Sequence, residues 1–171
     1  MAIIYKNLKG KLFDIGPLLL LYFLSISELD TQFANTFEIL SFNLQLIIIY
    51  YWMLRREAIL GNGYIFFAGI INDVIIGLPM GTSSLSYLIV SFFASYVRNV
   101  TVNISLFTDW LTFSLAVFFS SSAHYILLEN FTIFKLTYTE LFYTAFFTIL
   151  FYPFFWFVFN YYKYLMSGKD D

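Results

Sequence analysis

Long apolar runs separated by short polar connections dominate this chain. A helix crosses the hydrocarbon core of a bilayer with about 20 mostly apolar residues, and about 17 are the lower limit. Six stretches approach this standard, and the first, third and fourth are short. The predicted spans cover residues 12–27, 37–54, 64–78, 82–97, 110–128 and 141–162. The pattern predicts an all-α polytopic membrane protein with six transmembrane helices in one integral membrane domain, residues 1–171.

The composition agrees with this prediction. The 171 residues are 60% hydrophobic and 12% charged, and this charged fraction is about half that of ordinary soluble domains. So little polar surface argues against a soluble enzyme, and the high hydrophobicity argues against disorder. The net charge of −2 gives no cationic field for nucleic acid. With no cysteine and one histidine, thiolate and two-histidine metal sites are excluded. We expect no enzymatic activity and no cofactor.

The basic residues predict the orientation of the spans, because Lys and Arg accumulate on the cytoplasmic side. Six spans with both termini inside place eight of the nine basic residues on that side. The eight are Lys6, Lys9, Lys11, Arg55, Arg56, Arg98, Lys163 and Lys169, and the ninth is Lys135. A re-entrant hairpin over residues 64–97 would satisfy the same bias and stays an alternative to two spans. Asp14 and Pro17 disfavour a cleaved signal peptide, so we expect an uncleaved first helix.

Asp73 is the one carboxylate placed clearly inside a predicted span. A charged side chain at membrane depth costs at least a few kcal/mol, which makes it a candidate for function. Three roles are open: a hydrogen bond to Asn72 or to a neighbouring helix, docking of a partner or ligand, and proton transfer. His124 is the other ionisable group within a span, and we expect it to be a satisfied interior residue. Serines 120–122 precede it, but no orienting acid or oxyanion site accompanies them, so catalysis is not expected.

Gly69, Asp73, Gly77 and Gly81 follow one another at intervals of four residues. Steps of four keep residues on one slowly drifting helix face, so the first three predict a shallow strip. Glycine in such a strip lets another helix approach closely. That helix belongs either to the same chain or to an external partner. Pro79 is expected to end the helix, and Gly81 with Thr82, Ser83 and Ser84 to supply a turn and the N-cap of the next helix.

The central part of the chain resembles the MreD family of bacterial rod shape-determining proteins. In that family a Tyr-Trp pair ends an early span, a basic link follows, and then a segment Gly-x3-Asp-x3-Gly-x3-Gly-x3-Leu. The residues that match are Tyr51, Trp52, Gly69, Asp73, Gly77, Gly81 and Leu85, within a stretch of about 45 residues. The link here has Arg55 and Arg56 but lacks the proline common in the family.

The resemblance implies a non-enzymatic scaffold of the cell-elongation and peptidoglycan-synthesis machinery in the bacterial inner membrane. It implies an MreC-like single-span partner and, through it, the MreB filament and the RodA-transpeptidase synthase. The residues expected to pack helices or bind that partner are Gly69, Asp73, Gly77, Gly81, Tyr51 and Trp52. The implied fold is similar to the S components of energy-coupling-factor transporters, so a vitamin-binding S component is the alternative. The first span has no alanine and no two alanines stand four apart, which disfavours it because S components dock through an Ala-x3-Ala pattern.

Overall fold

A computed structural model describes residues 15–27, 43–101, 105–131 and 138–167, and within these ranges the chain forms six helices and no strand. The all-α prediction is confirmed for this part of the chain. The helices are α1 Ile15–Ile26, α2 Leu44–Arg55, α3 Asn62–Ile76, α4 Thr82–Val100, α5 Leu106–Phe131 and α6 Tyr138–Ser167.

Helix α2 lies at the centre of the bundle. Every side chain from Gln45 to Leu54 is buried, as expected for a helix that is apolar on all faces. α4 packs against α2, α3 and α5, while α6 packs against α2 and α5. The aromatic side chains of α2 therefore meet those of α5 and α6 in the core, where Tyr50 lies against Phe113 and Tyr152.

Successive helices from α2 to α6 run in alternating directions. At one end, Arg98 near the end of α4 donates to the carbonyl of Met53 near the end of α2. At the other end, the backbone N–H of Asn43, before α2, donates to Thr148 in the first half of α6. We call the first the basic end, because Arg55 and Arg98 lie there, and the second the cavity end.

The helix boundaries differ from the predicted spans where the turn chemistry is strong. α3 ends at Ile76, two residues before the predicted limit, because Gly77 takes a left-handed conformation with φ 77°. α4 begins at Thr82 as predicted and continues to Val100, and α5 and α6 extend beyond their predicted spans at both ends. Residues 12–14 and 37–42 of the first two spans, the connection 28–36, and the lysines at 6, 9, 11, 135 and 169 lie outside the described residues.

Two helical segments, Leu106–Asn130 and Leu141–Tyr164, have the length and hydropathy needed to cross a bilayer. Little of either segment is buried inside the bundle, and large apolar side chains such as Phe118 and Phe157 point outwards. Three shorter helices, α1, α2 and α3, are also apolar. These features are compatible with a membrane protein.

Candidate functional site

The residues of the predicted strip lie at the contact between α3 and α4. Gly69 is buried, and a Cβ atom at this position would lie 2.6 Å from the backbone nitrogen of Ser84. The Ser84 hydroxyl donates to the carbonyl of Phe66 at 3.0 Å, and this bond joins the two helices about one helical turn before Gly69. Only glycine permits this approach, because any side chain would enter the backbone of α4. The helix that Gly69 admits is thus one of the same chain.

Asp73 is fully buried and caps the amino end of α4 from the neighbouring helix. One carboxylate oxygen accepts the backbone N–H of Gly81 at 2.7 Å. The other accepts the N–H of Ser83 and the hydroxyl of Thr82, each at 2.9 Å. The first N–H groups of a helix have no partner within the helix, and negative charge is favourable at this end. Asp73 therefore takes the role of an N-cap residue, although it lies on another helix. The prediction that residues 81–84 supply this cap was wrong, because the N-cap residue is Gly81, which has no side chain to accept these bonds.

Gly77 and Gly81 shape the turn that brings Asp73 to α4. Both have left-handed backbone conformations, with φ 77° and 102°, which other residues adopt only with strain. The N–H of Leu78 donates to the carbonyl of Asp73 at 2.9 Å and closes the end of α3. Gly77 lies outside the helix, so the strip is shorter than the four-residue spacing predicts. Gly69, Asp73, Gly77 and Gly81 together define the α3–α4 hairpin.

Tyr51 and Trp52 join the end of α2 to α6. The Tyr51 hydroxyl donates to the side-chain oxygen of Asn160 at 2.8 Å. The Trp52 ring packs edge-on against Tyr162, with ring centroids 6.0 Å apart. Both side chains are buried, so they hold the interior of the described bundle together and are not available at its surface.

A buried ion pair at the basic end was not predicted from the sequence. The Arg55 guanidinium donates to Asp109 at 2.8 Å, and the Asp109 side chain has no solvent exposure. Trp156 donates to the same carboxylate oxygen at 3.1 Å, and the guanidinium lies 4.4 Å from the centre of the Tyr51 ring. Arg55 falls in a predicted loop and Asp109 just outside a predicted span, and nothing in the sequence indicates that they meet. The pair links α2, α5 and α6.

Polar side chains from three helices form a second buried network near the cavity end. Gln45 of α2 donates to Asn72 of α3 at 3.2 Å, and Asn72 donates to Ser83 of α4 at 3.1 Å. Tyr87 of α4 closes the network by donating to Gln45. Buried polar groups are tolerated when each finds a partner. These bonds fix the relative positions of the three helices beside Asp73.

A partly enclosed cavity of about 180 Å³ lies next to this network. Residues from α2 to α6 line it, with hydroxyl, amide and imidazole groups on one part and aliphatic groups on another. On α5 the lining includes Val117, Ser120, Ser121 and His124, whose spacing places them on one helix face. His124 Nδ1 lies 3.1 Å from the Ser86 hydroxyl, and Ser120 donates to the Ser86 carbonyl at 3.0 Å. The sequence singled out His124 and its serines, but not their convergence with α3 and α6.

No protein-family model, curated protein or solved structure matches the chain.

Proposed function

We propose that this chain is a non-catalytic membrane scaffold of the bacterial cell-elongation machinery, with an MreC-like single-span protein as its direct partner. Through that partner it would be connected to the RodA-transpeptidase synthase and the MreB filament. The observation that carries the proposal is the role of the motif residues. Six of the seven fix helix contacts: Gly69, Asp73, Gly77 and Gly81 form the hairpin, and Tyr51 with Trp52 joins α2 to α6. The seventh, Leu85, is 42% exposed. A motif whose residues form helix contacts specifies how the helices pack, which is what a scaffold requires.

The proposal takes the six helices as six spans with both termini in the cytoplasm. The positions of the described basic residues support this orientation. Arg55 and Arg98 lie at the basic end, and Lys163 follows Tyr162, whose ring contacts Trp52 at that end. Cytoplasmic loops carry such an excess of positive charge.

The turn of the α3–α4 hairpin supports two crossings over a re-entrant hairpin. A re-entrant loop needs its irregular backbone to be buried in protein, because lipid offers no hydrogen-bond partners. Met80 in this turn is 78% exposed among the described residues, and Gly77 is also exposed. α3 has 15 residues and is about 22 Å long, so it would cross where the bilayer thins locally.

We place the binding surface for the partner on the outward face of the hairpin. α4 already occupies the strip around Gly69, so an external helix cannot enter it. Large apolar side chains face away from the bundle on both helices, with Phe67 on α3 and Phe92 on α4 59% and 68% exposed. A rigid hairpin with such a face can hold a single-span helix through van der Waals packing, which drives association in lipid.

Depletion and co-purification test the proposal in two steps. Depletion of the protein from a rod-shaped host that carries it is expected to give rounded cells, and cells that stay rod-shaped would contradict the function. Phe67→Ala with Phe92→Ala is expected to reduce co-purification of the MreC-like partner. The matched control is Phe146→Ala with Phe157→Ala on α6, at positions 52% and 61% exposed. If both pairs of substitutions reduce co-purification equally, the partner binds elsewhere than the outward face of the hairpin. The depletion result would still stand.

The second candidate, a vitamin-binding S component, is favoured by one observation, the cavity with its convergent polar groups. Its volume of about 180 Å³ is below the range of about 300–1,000 Å³ that sites for larger organic ligands occupy. This difference is why we favour the scaffold. A thermal-shift screen against vitamins tests the choice, and saturable stabilisation by one of them would favour the S component.

A further inference from the structure

We propose that the cavity between α2 and α6 binds a small neutral amphiphile, the size of one ring bearing one hydroxyl group, for which phenol is the probe. This role is additional to partner binding and does not depend on it. It is inferred from the charge, the volume and the hydrogen-bonding groups of the cavity.

The lining favours an uncharged ligand. None of the described residues that line the cavity is Lys, Arg, Asp or Glu. The nearby carboxylate of Asp73 is occupied by the three donors at the start of α4. Transfer of a charged ligand from water into such a site would be costly, because nothing there neutralises it.

The volume limits the ligand to about one ring. An engineered apolar cavity of about 150 Å³ holds benzene, and the cavity here has about 180 Å³. Leu46, Val117 and Ala145 provide aliphatic contact for a ring from three different helices. A purely polar molecule of the same size would leave these groups without favourable contact.

His124 provides the hydrogen bond that distinguishes an amphiphile from a hydrocarbon. The Ser86 hydroxyl donates to the carbonyl of Thr82 at 3.0 Å, and its single proton cannot also serve His124. With that proton engaged, we assign the ring proton of His124 to Nδ1, which lies 3.1 Å from the Ser86 hydroxyl, and Nε2 is then the acceptor. A ligand hydroxyl can donate to Nε2, and Ser121 lies one turn earlier on the same face of α5.

Nitrogen-15 NMR of the histidine ring tests the proposal directly, because the chain contains one histidine. The full protein in lipid nanodiscs is expected to show the Nδ1–H tautomer. Phenol is expected to shift the Nε2 signal saturably and to bind about three- to tenfold more tightly than benzene, the gain from one neutral hydrogen bond. Glycerol is expected to give no saturable shift.

Two substitutions complete the test. Ala145→Leu fills the cavity from α6 and is expected to abolish the saturable shift, while Ala58→Leu, exposed at the basic end, is expected to leave it unchanged. Val117→Phe is the second blocking variant should Ala145→Leu not fold. Phenol shifts that do not saturate, or that persist in the blocked variant, would mean partition into lipid and overturn the proposal. Equal affinity for phenol and benzene would overturn the role of His124.

Discussion

Replacement of Asp73 by alanine is expected to destabilise the protein because it leaves the start of α4 without its cap. The N–H of Ser83 is buried, and its loss of a partner costs about 1–3 kcal/mol. The N–H of Gly81 is partly exposed, so water replaces part of its bond, and a lost cap costs about 1 kcal/mol. The Thr82 hydroxyl still has the Pro79 carbonyl, at 2.9 Å, to receive its one proton. The expected loss in free energy of unfolding is about 2–4 kcal/mol.

Denaturant unfolding in mild detergent, followed by the fluorescence of the three tryptophans, measures this loss. Asp73→Asn keeps one acceptor oxygen, so its expected loss is smaller than that of Asp73→Ala. The control is Glu57→Ala, which removes a partly exposed ion pair with Arg98 and is expected to cost less than about 1 kcal/mol. An Asp73→Ala protein as stable as wild type that no longer co-purifies with the partner would refute the capping role.

Three further predictions concern the other helix contacts. Gly69→Ala is expected to lower the free energy of unfolding by about 1–3 kcal/mol, because the added methyl group forces α3 away from α4. Gly63→Ala, with open space around it, is expected to be neutral or stabilising in the same unfolding assay. Removal of one member of the Arg55–Asp109 pair is expected to lower the free energy of unfolding by about 3–5 kcal/mol. Replacement of both residues by apolar ones is expected to lower it much less, and a double-mutant cycle measures the difference. Gly81→Ala is expected to cost about 1–2 kcal/mol through its φ of 102°, read from the unfolding midpoint.

Each of these predictions has an outcome that contradicts it. Equal stability of the variants at positions 69 and 63 would mean that the α3–α4 approach is not close. Additive losses in the cycle would mean that Arg55 and Asp109 do not interact. An unchanged midpoint for Gly81→Ala would mean that the turn adopts another conformation.

Much of the fold could be predicted from the sequence, since apolar runs and turn residues act locally. The all-α class, the start of α4 at Thr82 and the turn around Gly81 follow from the pattern of side chains along the chain. The spacing of Gly69 and Asp73 also predicts a close helix contact, because steps of four share a face.

Only the tertiary structure decided what those side chains meet. It places α4 against Gly69, directs Asp73 to the N–H groups at residues 81 and 83, and pairs Arg55 with Asp109 across 54 residues. It also brings His124 to Ser86 in the cavity. The physical reason is that periodicity defines which helix face a residue occupies, whereas the residue's partner depends on how complete helices pack. An apolar helix face can pack against many other apolar faces, so the sequence of one helix does not specify its neighbour.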